Sequence, residues 1–186
     1  MSGGHGHVET SNKKIALLVA VLAAALAISE MGGKSSQTNA LLSHAEASNL
    51  WNFFQAKTVR QTVLRTAADE AEANFKDNPQ GAPAAMKAQT ERWRQTAQRY
   101  ETEPETGEGR KELMARAKAK EEHREKSLAA YHMFEYASAA FQLAIVLAGA
   151  AALTSVVWLT FVSGGLGVVG LLFGALGFFA PTLIHL

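Results

Sequence analysis

From Tyr136 to Leu186 the chain contains no Asp, Glu, Lys or Arg. Soluble domains carry about 25% charged residues, and a charge-free run this long accommodates two membrane helices of about 20 residues each. The whole chain, 186 residues with 48% hydrophobic and 19% charged, has the averages of an ordinary soluble domain. Those averages mix two solvents. Apart from Glu9, Lys13, Lys14 and Glu30, every charge lies between Lys34 and Glu135. The pattern predicts an integral membrane protein with a polar insert. With no cysteine, disulfides, thiolate-bound metals and thiol catalysis are excluded. The near-balanced charge of the insert gives no electrostatic case for nucleic acid.

Residues 1–12, MSGGHGHVETSN, show no apolar periodicity and read as a flexible tail. Lys13 and Lys14 precede the uncharged run Ile15–Ile28, whose length also suits a signal peptide cleaved near Ala25-Leu26-Ala27. The preferred reading is an uncleaved transmembrane helix over 13–31. In it Ala16, Ala20, Ala23 and Ala27 recur at 4-3-4 spacing, a smooth face suited to close helix packing in lipid.

A polar helical domain over 32–135 follows. Its first helix, about 38–76, carries Leu50, Phe54, Leu64, Ala68, Ala71 and Phe75 on an alternating 4-3 ladder. Lys57 and Gln61 are its two polar rungs, and Val63 and Ala67 widen the stripe. A ladder sustained near 3.5 residues predicts a coiled-coil-like seam. Asp77-Asn78-Pro79-Gln80-Gly81 ends it. A second helix, about 84–100, sets Met86, Trp93, Ala97 and Tyr100 on one face. The acidic stretch Glu101–Gly109 contains Pro104 and no apolar residue, and reads as an exposed loop. A third helix, about 110–135, begins densely charged with mixed sign and runs into a second transmembrane helix over 136–161. Tyr136 and Trp158 would stand about 33 Å apart at helical rise, spaced as aromatic belts at the two faces of a bilayer. Ser163-Gly164-Gly165 is expected to turn the chain, and 166–184 to return as the third span.

Few motifs carry chemistry. Gly165-Leu166-Gly167-Val168-Val169-Gly170 matches G-x-G-x-x-G, but a dinucleotide site needs a preceding strand and an acid about 20 residues on. Here a membrane helix precedes it and no acid follows. Gly167, Gly170, Gly174 and Gly177, at 3-4-3 spacing, instead line one helix face with glycine and permit close backbone approach. Their partner would be another subunit, or the second span, whose Ala144, Ala148, Ala151 and Ser155 form a small face of their own. Gly33-Lys34-Ser35 lacks the upstream glycine of a phosphate loop, since that position is Ile28.

His132 and Glu135, at i, i+3, use a spacing found in bundle metal sites, but one such pair is more often plain interfacial polarity. His5 and His7 in the tail would hold copper or nickel only loosely. No metal, cofactor or catalytic residue is expected. Gln142 inside the second span either bonds across helices or, with Thr154 and Ser155, lines a pore enclosed by several subunits. In Glu46–Lys57, the aromatics Trp51, Phe53 and Phe54 cover more than one helix face. Together with Leu50, Leu64 and Phe75 they are interface candidates, flanked by neighbours on both sides or by lipid headgroups.

The runs NKKIALL (12–18), ISE-x-GGKSSQT (28–38) and EASNLWNFFQAKTVRQT (46–62) resemble a bacterial membrane-protein family known as a domain of unknown function, number four thousand three hundred and thirty-seven. The similarity is close from Asn12 to Thr66 and compatible through the paired C-terminal spans. It implies an N-terminal span, a helical polar domain and two closing spans, and no activity. In that family the last turn often carries basic residues, which implies a cytoplasmic turn; Ser163-Gly164-Gly165 carries none.

Lys13 and Lys14 favour a cytoplasmic N-terminus. Lys34, Lys118, Lys120, Arg124 and Lys126 pull the other way, but Glu121, Glu122 and Glu125 interleave with them, and long loops translocate largely regardless of charge. The expectation is therefore an all-α membrane protein of the bacterial inner membrane, with three transmembrane helices. A long coiled-coil-like helical domain, continuous with the first two spans, lies periplasmically between them. Its expected partners are membrane lipid and further copies of itself. The expected role is a non-enzymatic structural or scaffolding assembly, with an oligomeric channel built around spans two and three as the alternative.

Overall fold

The computed structural model describes the backbone of residues 5–75, 81 and 83–184, and the side chains of those from Lys13 onward. The described residues form four helices and no strand: α1 (His5–Ala73), α2 (Ala84–Glu101), α3 (Arg110–Thr154) and α4 (Val157–Phe179). Three of them, α1, α3 and α4, contain windows long and apolar enough to cross a membrane. The chain divides into two compact units. One holds α1 up to Leu41, α3 from Arg124, and α4; the other is Leu42–His123.

α1 has no break at Gly32-Gly33 and starts at His5, inside the segment read as a tail. Glycine pairs inside a helix cost little where packing compensates, and Phe134 lies against both Gly32 and Gly33. Lys76 and the breakers Asp77 to Gln80 lie outside the described residues.

In the apolar unit, Leu22, Ala137, Phe141 and Ala144 form a buried cluster, and Ile15, Ala148 and Ala151 form another. α4 lays Gly167, Gly170, Gly174 and Gly177 against them, all four buried. Helices in lipid associate through close packing, because lipid tails are as apolar as leucine. The recessed glycine face supplies that packing by receiving large side chains: Leu22 at Gly167, Phe141 at Gly170 and Phe134 at Gly177. Ser163, fully buried, donates to the carbonyl of Ala144 at 2.7 Å.

Two expectations change here. The helix break falls at Ser155-Val156 rather than at Ser163-Gly164-Gly165. Ser155 has a positive φ of 59° and Val156 is extended. Thr154 returns its hydroxyl to the carbonyl of Ala150, and two β-branched valines follow. Such residues favour leaving the helix over continuing it. Gly164 and Gly165 remain helical. Trp158 therefore belongs to α4, exposed near its start, and is not the far belt of Tyr136 on one helix. The 23 residues of α4 span about 35 Å, enough to cross a bilayer core of about 30 Å.

The second change concerns α1. Ala16, Ala20, Ala23 and Ala27 are all exposed. The face of α1 turned toward α3 and α4 is Ile15, Leu22 and Ser29, all buried. The reason is complementarity: within this chain α4 presents the groove and α1 supplies the knobs, so the alanine face is left on the outside of the unit.

In the polar unit, α1, α2 and α3 pack around Ala47, Ala68, Ala97, Leu113 and Ala117, each no more than 3% exposed. The 4-3 ladder of α1 faces inward: Leu50, Phe54, Leu64 and Ala71 are half-buried, Ala68 is fully buried, and Phe75, in the turn just past the helix, is half-buried. Val63, expected to widen the stripe, points outward instead. Its polar rungs, Lys57 and Gln61, are buried more deeply than most of the apolar ones.

Candidate functional site

The polar rungs are the feature that α1 alone does not explain. Two polar side chains buried in an apolar stripe must find partners, because an unsatisfied buried polar group costs about 1–3 kcal/mol. The partners come from the end of α2, the loop after it and the first residue of α3.

Gln61 donates through Nε2 to the carbonyl of Ala97 at 2.9 Å and to Glu101 Oε2 at 3.0 Å. Its Oε1 accepts from Arg110 at 2.7 Å. The same Arg110 nitrogen donates to Glu101 at 2.7 Å, and Arg110 Nε donates to Thr58 Oγ1 at 2.9 Å. The guanidinium lies over the Phe54 ring, 5.0 Å from its centroid. The hydrogen bond from Gln61, assisted by the charge of Arg110, holds the Glu101 carboxyl below the ordinary carboxylate range against the opposing effect of partial burial.

Lys57 sits between the rings of Phe53 and Tyr100, 5.4 and 5.5 Å from their centroids. Its ammonium donates to Glu103 Oε2 at 3.2 Å and stands 3.9 Å from Glu108. That hydrogen bond is the main reason the Glu103 carboxyl also lies low.

The loop is held as well. Thr102 Oγ1 donates to Glu112 at 2.7 Å and the Glu103 amide donates to the same carboxylate at 3.3 Å. Gly109 is buried so tightly that an added Cβ would come within 2.7 Å of the Thr102 Cα. The stretch read as a plain exposed loop is thus folded onto α1 through Lys57. A second set of α1–α3 bonds lies beyond it: Ser43 Oγ meets His123 Nδ1 at 3.0 Å, Trp51 Nε1 donates to Glu121 at 2.8 Å, and Glu46 pairs with Lys120.

Chemically this arrangement fixes register. Every charged head in the Lys57–Gln61–Arg110 cluster is engaged by another, and the two carboxylates are held ionised, opposite to what a general acid needs. The Ser43–His123 pair joins two helices, and its imidazole is exposed to solvent.

The remaining sequence candidates fall as follows. Trp51 and Phe54 are half-buried and meet edge to face at 5.4 Å. Phe53 stays 37% exposed beside Lys57. Phe75 lies in the turn after α1. Gln142 and Thr154 are exposed on α3 and do not share a helix face, and Ser155 is in the break. His132 and Glu135 meet at 3.4 Å. Among the described residues no group of three or more His, Asp and Glu is placed to hold a metal ion. Sequence reasoning marked Lys57 and Gln61 but missed Arg110 and Glu101. The two polar rungs were themselves the signal that such partners exist.

A family model described as "Domain of unknown function (DUF4337)" matches residues 11–180. No curated protein matches the chain, and no solved structure does.

Proposed function

We propose a role for a chain that belongs to the DUF4337 family: a non-enzymatic, homo-oligomeric integral membrane protein forming a structural or scaffolding assembly. The membrane part of the reading is supported by three helices apolar enough to cross a bilayer. We place it in the bacterial inner membrane with the polar unit on the periplasmic side.

The observation that carries the assembly is the reversed polarity of α1 in the polar unit. Lys57 and Gln61 point inward at 5% and 2% exposure, while Val59 and Val63 point outward at 62% and 60%. Two valines one turn apart on a water-side helix lose roughly 25 cal/mol for each Å² of apolar surface left wet. A second copy seated on them recovers that free energy. The non-enzymatic part is supported by the cluster beneath, whose ionised groups are engaged with one another.

Native mass spectrometry of the full chain in nanodiscs tests the reading. A multiple of the 19.9 kDa subunit, reduced in size by Val59→Glu with Val63→Glu, is the expected result. A monomer at all concentrations overturns it.

A further inference from the structure

A groove of about 380 Å³, lined by both polar and apolar side chains, opens between α1 and α3 in the apolar unit. α1 contributes Glu30, Lys34 and Gln37, and α3 contributes Glu135, Ser138 and Gln142. Both sets recur at helical spacing, at i, i+4, i+7 on α1 and i, i+3, i+7 on α3, so each is a coherent face. The groove lies at one end of α4. Phe134, which lines it, also packs against Gly177, two residues before α4 ends at Phe179. Polar side chains therefore gather where the apolar layer stops, and Gln142 carries the polarity two turns deeper.

Two further observations point to an occupant. First, the groove holds both signs of charge. The Lys34 ammonium and the Glu30 carboxylate have no ion pair or side-chain hydrogen bond among the described residues, and Glu135 accepts from Tyr131 at 2.6 Å through one oxygen and faces His132 Nδ1 at 3.4 Å with the other. Second, the α1 face continues below the groove as the exposed alanines. Lys34, Glu30, Ala27, Ala23, Ala20 and Ala16 follow one another at 4-3-4-3-4 spacing, all exposed. On α3 the same face continues from Gln142 to Val146 and Leu153, 67% and 89% exposed. A mixed-charge pocket thus sits above a smooth apolar track.

Resting on the membrane reading above, we propose that this groove binds one phospholipid whose zwitterionic headgroup carries a phosphate and a primary amine. Lys34 pairs with the phosphate, Glu30 and Glu135 accept from the ammonium, and an acyl chain lies along the alanine track. A primary ammonium donates to carboxylates, which a trimethylated amine does not. An anionic headgroup without an amine would leave Glu30 and Glu135 facing like charge. The groove therefore selects phosphatidylethanolamine over phosphatidylcholine and phosphatidylglycerol.

The test is native mass spectrometry of the detergent-solubilised full chain titrated with each of the three lipids. The protein peak gives the subunit number and the mass increment gives the lipid, so failure of the assembly and failure of the lipid site are read separately. Expected is about tenfold tighter retention of phosphatidylethanolamine, lost in E30Q and in E135Q, with K34Q weakening it as well. Glu125→Gln, an exposed carboxylate of α3 outside the groove, leaves it unchanged. Equal binding of the three lipids, selectivity that survives E30Q and E135Q, or loss in the Glu125 control overturns the proposal.

Discussion

A Cβ atom added to Gly170 of α4 would stand 2.7 Å from Cε1 of Phe141 on α3. The ring, 1% exposed, occupies the volume that a side chain at this glycine needs. Gly170→Ala is therefore expected to cost about 1–3 kcal/mol by overpacking and to be partly rescued by Phe141→Leu. Gly164→Ala, where nothing lies within 4 Å, is expected to be neutral or stabilising by about 0.5–1 kcal/mol through helix propensity. Thermal unfolding in one detergent, the three variants beside the parent chain, checks the ordering. Equal effects at Gly170 and Gly164 would show that the contact is not tight.

Gln61→Ala removes one side chain that serves three partners, the carbonyl of Ala97, the Glu101 carboxylate and the Arg110 guanidinium. A loss of about 1–3 kcal/mol follows from leaving buried groups unpaired. Chemical denaturation followed by far-UV circular dichroism reads it. A loss no larger than that of Gln55→Ala, on the exposed side of α1, would show the cluster to be energetically idle.

The same cluster sets a pH dependence. Glu101 is lowered in the folded state, first by its Gln61 hydrogen bond. A carboxyl lowered on folding contributes stability above its unfolded value, and that contribution fades as pH falls through the lowered folded one. Stability of the polar unit is thus expected to decline on acidification below the ordinary carboxylate range, with a shallower decline in Glu101→Gln. An identical pH profile in that variant would remove Glu101 as a cause.

At the α3–α4 break, Ser155 holds a left-handed φ of 59°, a region that costs a non-glycine residue roughly 1–2 kcal/mol. Ser155→Gly is expected to raise thermal stability modestly, by about 0.5–1 kcal/mol, and Ser155→Val to lower it more. The sign of the first change decides, because glycine also loosens the unfolded chain.

Orientation is open to a direct measurement. Alkaline phosphatase inserted between Glu105 and Thr106, both exposed, is expected to be active, as a periplasmic polar unit requires. Activity of a cytoplasmic reporter at the same point, with silent phosphatase, would invert the topology.

The strongest sequence signals were periodic ones. The ladder from Leu50 to Phe75 was legible because 4-3 spacing is the arithmetic of a buried helix face, and the glycines of α4 were legible for the same reason. What escaped was anything that depends on a partner distant in sequence. Arg110 reaches Gln61 across 49 residues, and no local pattern marks it. The break at Ser155 was hidden because Gly164-Gly165 looks like a turn in water, whereas in an apolar helix glycine is a packing residue. The alanine face of α1 was visible, but periodicity names a face without saying what it meets.

The glycine stripe of α4 also has a genetic consequence. Every amino acid reachable from a glycine codon by one base change brings at least a Cβ, and most bring a charge or a large group. At Gly167, Gly170 and Gly177 that first carbon already reaches 2.7, 2.7 and 3.0 Å from a neighbouring side chain. At Gly149, Gly164 and Gly165 it enters open space. Glycines a few residues apart thus differ sharply in how much coding drift they absorb, and three of them absorb almost none.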